Sequence, residues 1–141
     1  IQNISKVYRV FNPDFQKGKT TSIRIAMENL KPEVNNILIL GVDQPRPSWV
    51  IHQVIKSHLK SRALITSPKF EHRGGHPLIF SVDLKKELSC VTEEGQGIRE
   101  IFRRYEKQVN YVNFATELIR LDLNTPEDYE KGLRVYDRMR Q

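Results

Sequence analysis

The segment Asn36–Val42 reads N-I-L-I-L-G-V, a continuous apolar run with no alternation. A strand with one wet face alternates, so an unbroken run suits a strand covered on both faces, as in a parallel sheet. The run predicts a central strand in which Leu38, Ile39 and Leu40 are nearly inaccessible. Other elements follow from periodicity and turn chemistry. Lys6–Phe11 alternates and reads as a strand. Thr20–Leu30 carries Ile23, Ala26, Met27 and Leu30 at helical spacing, with Thr21 or Ser22 near its N-cap. Ser48–Leu59 is a helix with Trp49, Val50, Val54, Ile55 and Leu59 on its buried side, and His52 and His58 on its surface. Ala63–Thr66 and Pro77–Phe80 read as extended. Leu84–Leu88 and Ile98–Tyr105 read as helices, and Val109–Val112 and Leu118–Leu121 as strands. In the last helix Thr125 is the N-cap, Pro126 the first helical residue, and Glu127 and Asp128 the first-turn acids. Alternating strands and helices argue for an α/β layered sheet.

The 141 residues suit a single domain, spanning 1–141. No apolar stretch approaches the roughly 18 residues of a membrane span, and no charged-then-apolar leader is visible. Cys90 is the only cysteine, which excludes an internal disulfide and a cysteine zinc cluster. It reads as a core or boundary residue in a reducing, cytoplasmic protein. A formal charge of +6 suits an anionic partner. The basic residues are dispersed, however, and the clusters Arg103, Arg104, Lys107 and Arg134, Arg138, Arg140 fall at helical spacing, as on solvated helix faces. No RNA-binding aromatic signature or helix-turn-helix pattern accompanies them, which argues against nucleic acid.

Four segments carry candidate chemistry. In L-I-L-G-V-D-Q-P (38–45), Asp43 directly follows the buried run, at the carboxyl end of a strand where open α/β sheets bind ligands. A carboxylate there can hold Mg²⁺, and through it a phosphate; it can equally cap the next helix. In L-I-R-L-D-L-N-T-P-E-D-Y (118–129), Asp122 follows a second apolar stretch, so two carboxylates distant in sequence can converge on one metal. Glu127 and Asp128 are accounted for by the helix dipole. In H-R-G-G-H-P (72–77), the glycines permit a close backbone approach to a ligand, beside His76. In N-P-D-F-Q-K-G-K-T-T-S (12–22), Gly18 and Lys19 feed a helix start that can bind an anion, without P-loop spacing. No nucleophile elbow, HExxH or CxxC occurs.

In this order the four segments resemble the MocA-like nucleotidyltransferases, the family that includes molybdenum cofactor cytidylyltransferase. Its pattern has N-P…G-x-x-x-S, then G-D-Q-P, then R-G-H-P, then D-x-D/N-T-P-E-D. The counterparts are Asn12-Pro13 with Gly18 and Ser22, Gly41–Pro45, Gly74–Pro77 and Asp122–Asp128. The resemblance implies a three-layer α/β sandwich with a mostly parallel, Rossmann-like sheet of the nucleotide-diphospho-sugar transferase type. It implies Asp43 and Asp122 as Mg²⁺ ligands and catalytic acids, Ser22 near the nucleotide base, and Gly75 and His76 lining the acceptor side. Gln44 and Pro45 join them as substrate-binding residues. The implied reaction is attack of an acceptor phosphate on the α-phosphorus of a nucleoside triphosphate, with release of pyrophosphate.

The departures from the pattern are Val42 inserted in G-D-Q-P, Gly74 in place of arginine, and Asn124 where many members have aspartate. The family's opening strand and L-A-A-G-x-S-x-R-M-G turn have no counterpart. The expectation is therefore the C-terminal two-thirds of such a domain, inactive alone and prone to self-association through the sheet edge that the missing strand would cover. The alternatives are a transferase for a sugar phosphate, a non-catalytic binding remnant of the fold, and a basic nucleic-acid module.

Overall fold

In a computed structural model, which describes residues 7–138, five strands form one mixed sheet: β1 (Asn36–Ile39), β2 (Ile65–Phe70), β3 (Arg73–Gly74), β4 (Leu78–Ser81) and β5 (Val109–Asn113). The helices are α1 (Lys19–Glu28), α2 (Ser48–Ser61), α3 (Lys85–Ser89), α4 (Ile98–Arg104) and α5 (Pro126–Arg138). The α/β class is therefore as the sequence predicts, but the strand pairing is not mostly parallel. Only β2–β5 pairs parallel, whereas β1–β4, β2–β4 and β2–β3 are antiparallel. The cause is loop length. The connection from Phe70 to Leu78 is too short for a parallel crossover, which needs a dozen or more residues, so the chain must double back. Because β4 is reversed against both β1 and β2, the strands β1, β2 and β5 still share one direction.

The chain forms two compact units, one of residues up to Val34 with Asp83–Arg104, the other of Asn35–Val82 with residues from Tyr105 on. The sheet, α2 and α5 belong to the second. Its core joins Val50 and Val54 of α2 to Ile79, Val112, Phe114 and Ile119, and Trp49 leans on Phe114 with ring centroids 5.8 Å apart. Full burial of each aliphatic chain contributes about 1.5–3 kcal/mol. The apolar run of β1 is not central. Among the described strands β1 pairs only with β4, so it is an edge, and Leu38 is 39% exposed while Ile39 and Leu40 are half-buried. Leu118–Leu121 is likewise no strand: Glu117–Arg120 is a 3₁₀ turn that buries Leu118 and Ile119 side by side, with the Thr116 hydroxyl accepting from the Leu118 N–H. No helix among the described residues is long and apolar enough to cross a membrane.

His58 is buried rather than on the helix surface, whereas Leu59 is 60% exposed. The stripe that α2 buries is Val50, Val54 and His58, spaced by four. His58 Nε2 lies 2.9 Å from Asn36 Oδ1 and Nδ1 lies 2.8 Å from the Thr66 hydroxyl, which also accepts from Asn110 Nδ2. Burial pushes the His58 pKa below its ordinary 6.5. As the pH drops below that value, the unfolded chain takes up a proton that the folded chain refuses. Stability present above about pH 6.5 is then lost on acidification. The urea midpoint should fall between pH 7.5 and 5.5, and His58→Gln should flatten that slope.

In the first unit, 7–11 runs without strand pairing (Lys6 lies outside the described residues), and Val7, Tyr8, Val10 and Phe11 are exposed. Asn12 accounts for the spacing of N-P to Ser22 in local terms. Its Nδ2 donates to the Thr21 and Ser22 hydroxyls at 2.9 and 2.8 Å, and its Oδ1 accepts from Asp14 N–H. The N-cap of α1 is Gly18, at φ 111°, not Thr21 or Ser22. Here α1 packs against α3, burying Met27, Leu84 and Leu88. Cys90, following α3, is exposed rather than at the core. Arg103, Arg104 and Lys107, and Arg134 and Arg138, are solvent-facing as expected, with Arg104 paired to Glu100; Arg140 lies outside the described residues.

Candidate functional site

The chain leaving β1 turns sharply at Gly41–Gln44, where Gln44 N–H donates to the Gly41 carbonyl at 3.1 Å. Val42, the inserted residue, stands fully exposed at the tip. The Asp43 carboxylate folds back over Gly41, so closely that a Cβ on Gly41 would lie 2.3 Å from Asp43 Oδ1. Gln44 closes the turn. Its Oε1 accepts from Gly41 N–H at 2.9 Å, and its Nε2 lies 3.2 Å from His76 Nδ1. A backbone N–H can only donate, which fixes the amide oxygen on that side and leaves the NH₂ to donate to Nδ1. The neutral ring of His76 therefore carries its proton on Nε2.

The 3₁₀ turn and its exit bring Asp122 to the same place. Leu123 N–H donates to the Asp43 carbonyl at 2.8 Å, so the two aspartates that the sequence separates by most of the chain are neighbours across one backbone bond. The Asp122 side chain is 43% exposed, yet its Oδ1 is buried with no hydrogen-bond partner. The accessible part of that carboxylate is Oδ2. Next along the chain, Thr125 caps α5 as the sequence predicts, and Asp128, read there only as a helix-dipole acid, makes the cap reciprocal: Asp128 N–H donates to the Thr125 hydroxyl and Thr125 N–H to the Asp128 carboxylate, both at 3.1 Å. Thr125→Ala should cost about 1 kcal/mol, read as a lowered unfolding midpoint. A cavity of about 240 Å³ opens beside Asp122 and Asn124, flanked by Arg120 and Lys131.

Between these loops lies Arg46, which sequence reasoning missed. Its guanidinium is wholly buried. Nε donates to the His76 carbonyl, Nη1 to the carbonyls of Pro45 and Leu121, and Nη2 to that of Ile119, at 2.5–3.0 Å. Nη2 also stands 3.5 Å from Asp122 Oδ1, an ion pair rather than a hydrogen bond. Burial pulls the Arg46 pKa below the usual arginine range, opposed chiefly by the Asp122 charge and more weakly by Tyr136 and Asp43. Burial raises the pKa of Tyr136, on α5, and Arg46 opposes that rise. The signal available in the sequence was the setting P-R-P, a long cation between two residues that fix the backbone.

Of the other expected site residues, Pro45 lends its carbonyl to Arg46. Gly75 is buried, and the close approach it permits is to the protein's own backbone rather than to a ligand: a Cβ there would lie 2.1 Å from the Ile119 carbonyl oxygen. Ser22 is an exposed residue of the first unit, held by Asn12. The anion seat foreseen at the start of α1 is filled from within. Thr20 N–H donates to Glu93 Oε1 at 2.9 Å, and this bond, first among several causes, lowers the Glu93 pKa.

Residues 3–109 match the profile of the MobA-like NTP transferase domain. The chain belongs to that family. The match takes in Asp43, Gln44, Arg46, Gly75 and His76, while Asp122 lies beyond it. Among solved structures, this MobA-like chain has the fold of a homologue of Mycobacterium tuberculosis Rv0371c from Mycobacterium sp. strain JC1, at 22% identity and a TM-score of 0.65, covering 84% of this chain and 58% of that one. A structure of Rv0371c in complex with manganese from M. tuberculosis H37Rv matches at 22% identity and a TM-score of 0.65, covering 80% of this chain and 59% of that one. The chain thus spans less than two-thirds of either. No curated protein sequence matches it.

Proposed function

We propose that this MobA-like domain transfers a nucleoside monophosphate from a nucleoside triphosphate to a small phosphorylated acceptor, of the molybdopterin-like class that the MocA-like resemblance implies, with release of pyrophosphate. The observation that carries the reading is the junction of Asp43 and Asp122 through the Leu123–Asp43 bond, with Asp122 Oδ1 turned to Arg46 and the rest of that side chain exposed. The donor set fits Mg²⁺, which commonly takes one or two carboxylates and completes its shell with water and substrate phosphate. No group of three metal-ligating side chains occurs among the described residues, so substrate and water oxygens would supply the rest. When bound, the ion supplies charge neutralisation and alignment of phosphates. The manganese recorded with Rv0371c is in keeping with a divalent ion in this fold.

The chain's own residues divide the remaining work. Asp43 and Asp122 present the anionic oxygens. Gln44 holds the His76 ring through Nδ1, and for His76 the resemblance alone supports a place on the acceptor side. For Ser22 the resemblance alone supports a nucleotide-base contact. Manganese titration followed by electron paramagnetic resonance tests the reading. One saturable site in the wild type, lost in Asp43→Asn, is expected, and no bound Mn²⁺ in the wild type would overturn it. Pyrophosphate release from each nucleoside triphosphate in turn, in the full-length protein, then assigns the nucleotide.

A further inference from the structure

We infer that Arg46 is the positioning residue of this site, fixing Asp122 against the Asp43 turn and so setting the affinity for the divalent ion. The inference rests on the metal reading above. A wholly buried guanidinium is tolerated only where its donors are satisfied. Here they are satisfied by the loops that carry the candidate chemistry and not by the hydrophobic core: the carbonyls of Pro45, His76, Ile119 and Leu121, and the Asp122 charge. The carbonyl partners lie up to 75 residues from Arg46 in sequence. A planar fork can bond all of these loops at once, whereas an ammonium offers its donors from a single atom.

Two effects of Arg46 on a bound cation have opposite signs. As a nearby positive charge it repels the ion, so its removal should tighten binding by Coulomb's law. As the support of Asp122 it strengthens binding, and removing outer supports of metal ligands typically weakens affinity roughly 10–100-fold. Arg46→Lys separates the two, because the charge stays and the fork goes.

The experiment is Mn²⁺ binding, by electron paramagnetic resonance, to the wild type, to Arg46→Lys, and to Leu88→Ala as a control destabilised in the packing of α1 on α3. The expected result is about 10-fold or greater weakening in Arg46→Lys with unchanged affinity in Leu88→Ala. Wild-type-like affinity in a folded Arg46→Lys overturns the positioning role and leaves the metal reading standing. Absence of Mn²⁺ binding in the wild type overturns both. If Arg46→Lys does not fold, the wild type decides: the Arg46 Nε–H resonance should shift on Mg²⁺ titration along the metal-binding isotherm, and an unmoved resonance at saturation refutes the inference.

Discussion

Asp43→Asn should lower nucleotidyl transfer by the full-length protein about 1,000-fold, while its unfolding midpoint stays within about 2 °C of the wild type. The activity loss follows from the charge. On the proposed reading, neutralising one of the two carboxylates that would hold a divalent ion forfeits several kcal/mol of stabilisation where phosphate charge develops, and each 1.36 kcal/mol is about a factor of ten. The stability follows from the backbone. The bond that ties this turn to Leu123 uses the Asp43 carbonyl, which asparagine retains. Asp122→Asn should differ in the second respect. That substitution takes the nearby counter-charge from a wholly buried guanidinium, so both activity and midpoint should fall, the latter moderated because Asp122 is 43% exposed. Steady-state pyrophosphate release and thermal unfolding of the two variants make the comparison. Unchanged turnover in Asp43→Asn removes that residue from the mechanism.

Features written in local chemistry were legible in the sequence. The start of α5 needs only Thr125 and Pro126, and it forms as read, with Asp128 adding a bond back to Thr125 that its reading as a dipole acid did not include. The site motifs brought Asp43, Gln44, His76 and Asp122 forward, and the structure brings them together. What could not be read depends on partners distant in the chain. An apolar run gives no sign of whether a second strand covers it, and so Asn36–Ile39, an edge of the described sheet, looked buried and central from its composition, while only the missing opening strand of the resemblance pointed to an uncovered side. His58 passes for a surface residue until Asn36, Thr66 and the turn of α2 surround it. Arg46 is the sharpest case. Its charge argues for solvent, and only the arrival of the 119–122 segment supplies the acceptors that allow burial. The filling of the α1 anion seat by Glu93 likewise joins residues 73 apart.

The two adjacent glycines of H-R-G-G-H-P should respond oppositely to a single methyl group. Gly74 is exposed, and a Cβ there would meet only Ser67 Oγ at 3.5 Å, an ordinary contact. Gly74→Ala should therefore stay within about 0.5 kcal/mol of the wild type. This openness also fits the resemblance, which places arginine at that position. Gly75→Ala puts a Cβ 2.1 Å from the Ile119 carbonyl oxygen and 2.7 Å from its carbon, and backbone cannot yield as a flexible side-chain tip can. That same oxygen accepts from His76 N–H at 2.8 Å and from Arg46 Nη2 at 3.0 Å. Displacing it therefore strains the loops that hold both His76 and Asp122. Overpacking typically costs 1–3 kcal/mol, and loosened bonds to a buried charge add roughly 1.5–3 kcal/mol. A loss of about 3–5 kcal/mol is expected, a large fraction of the 5–15 kcal/mol that holds a domain together. Urea unfolding of the two alanine variants measures the difference directly. Equal midpoints would show that Ile119 moves aside freely, and that Gly75 is not what sets the spacing between the His76 loop and the 3₁₀ turn.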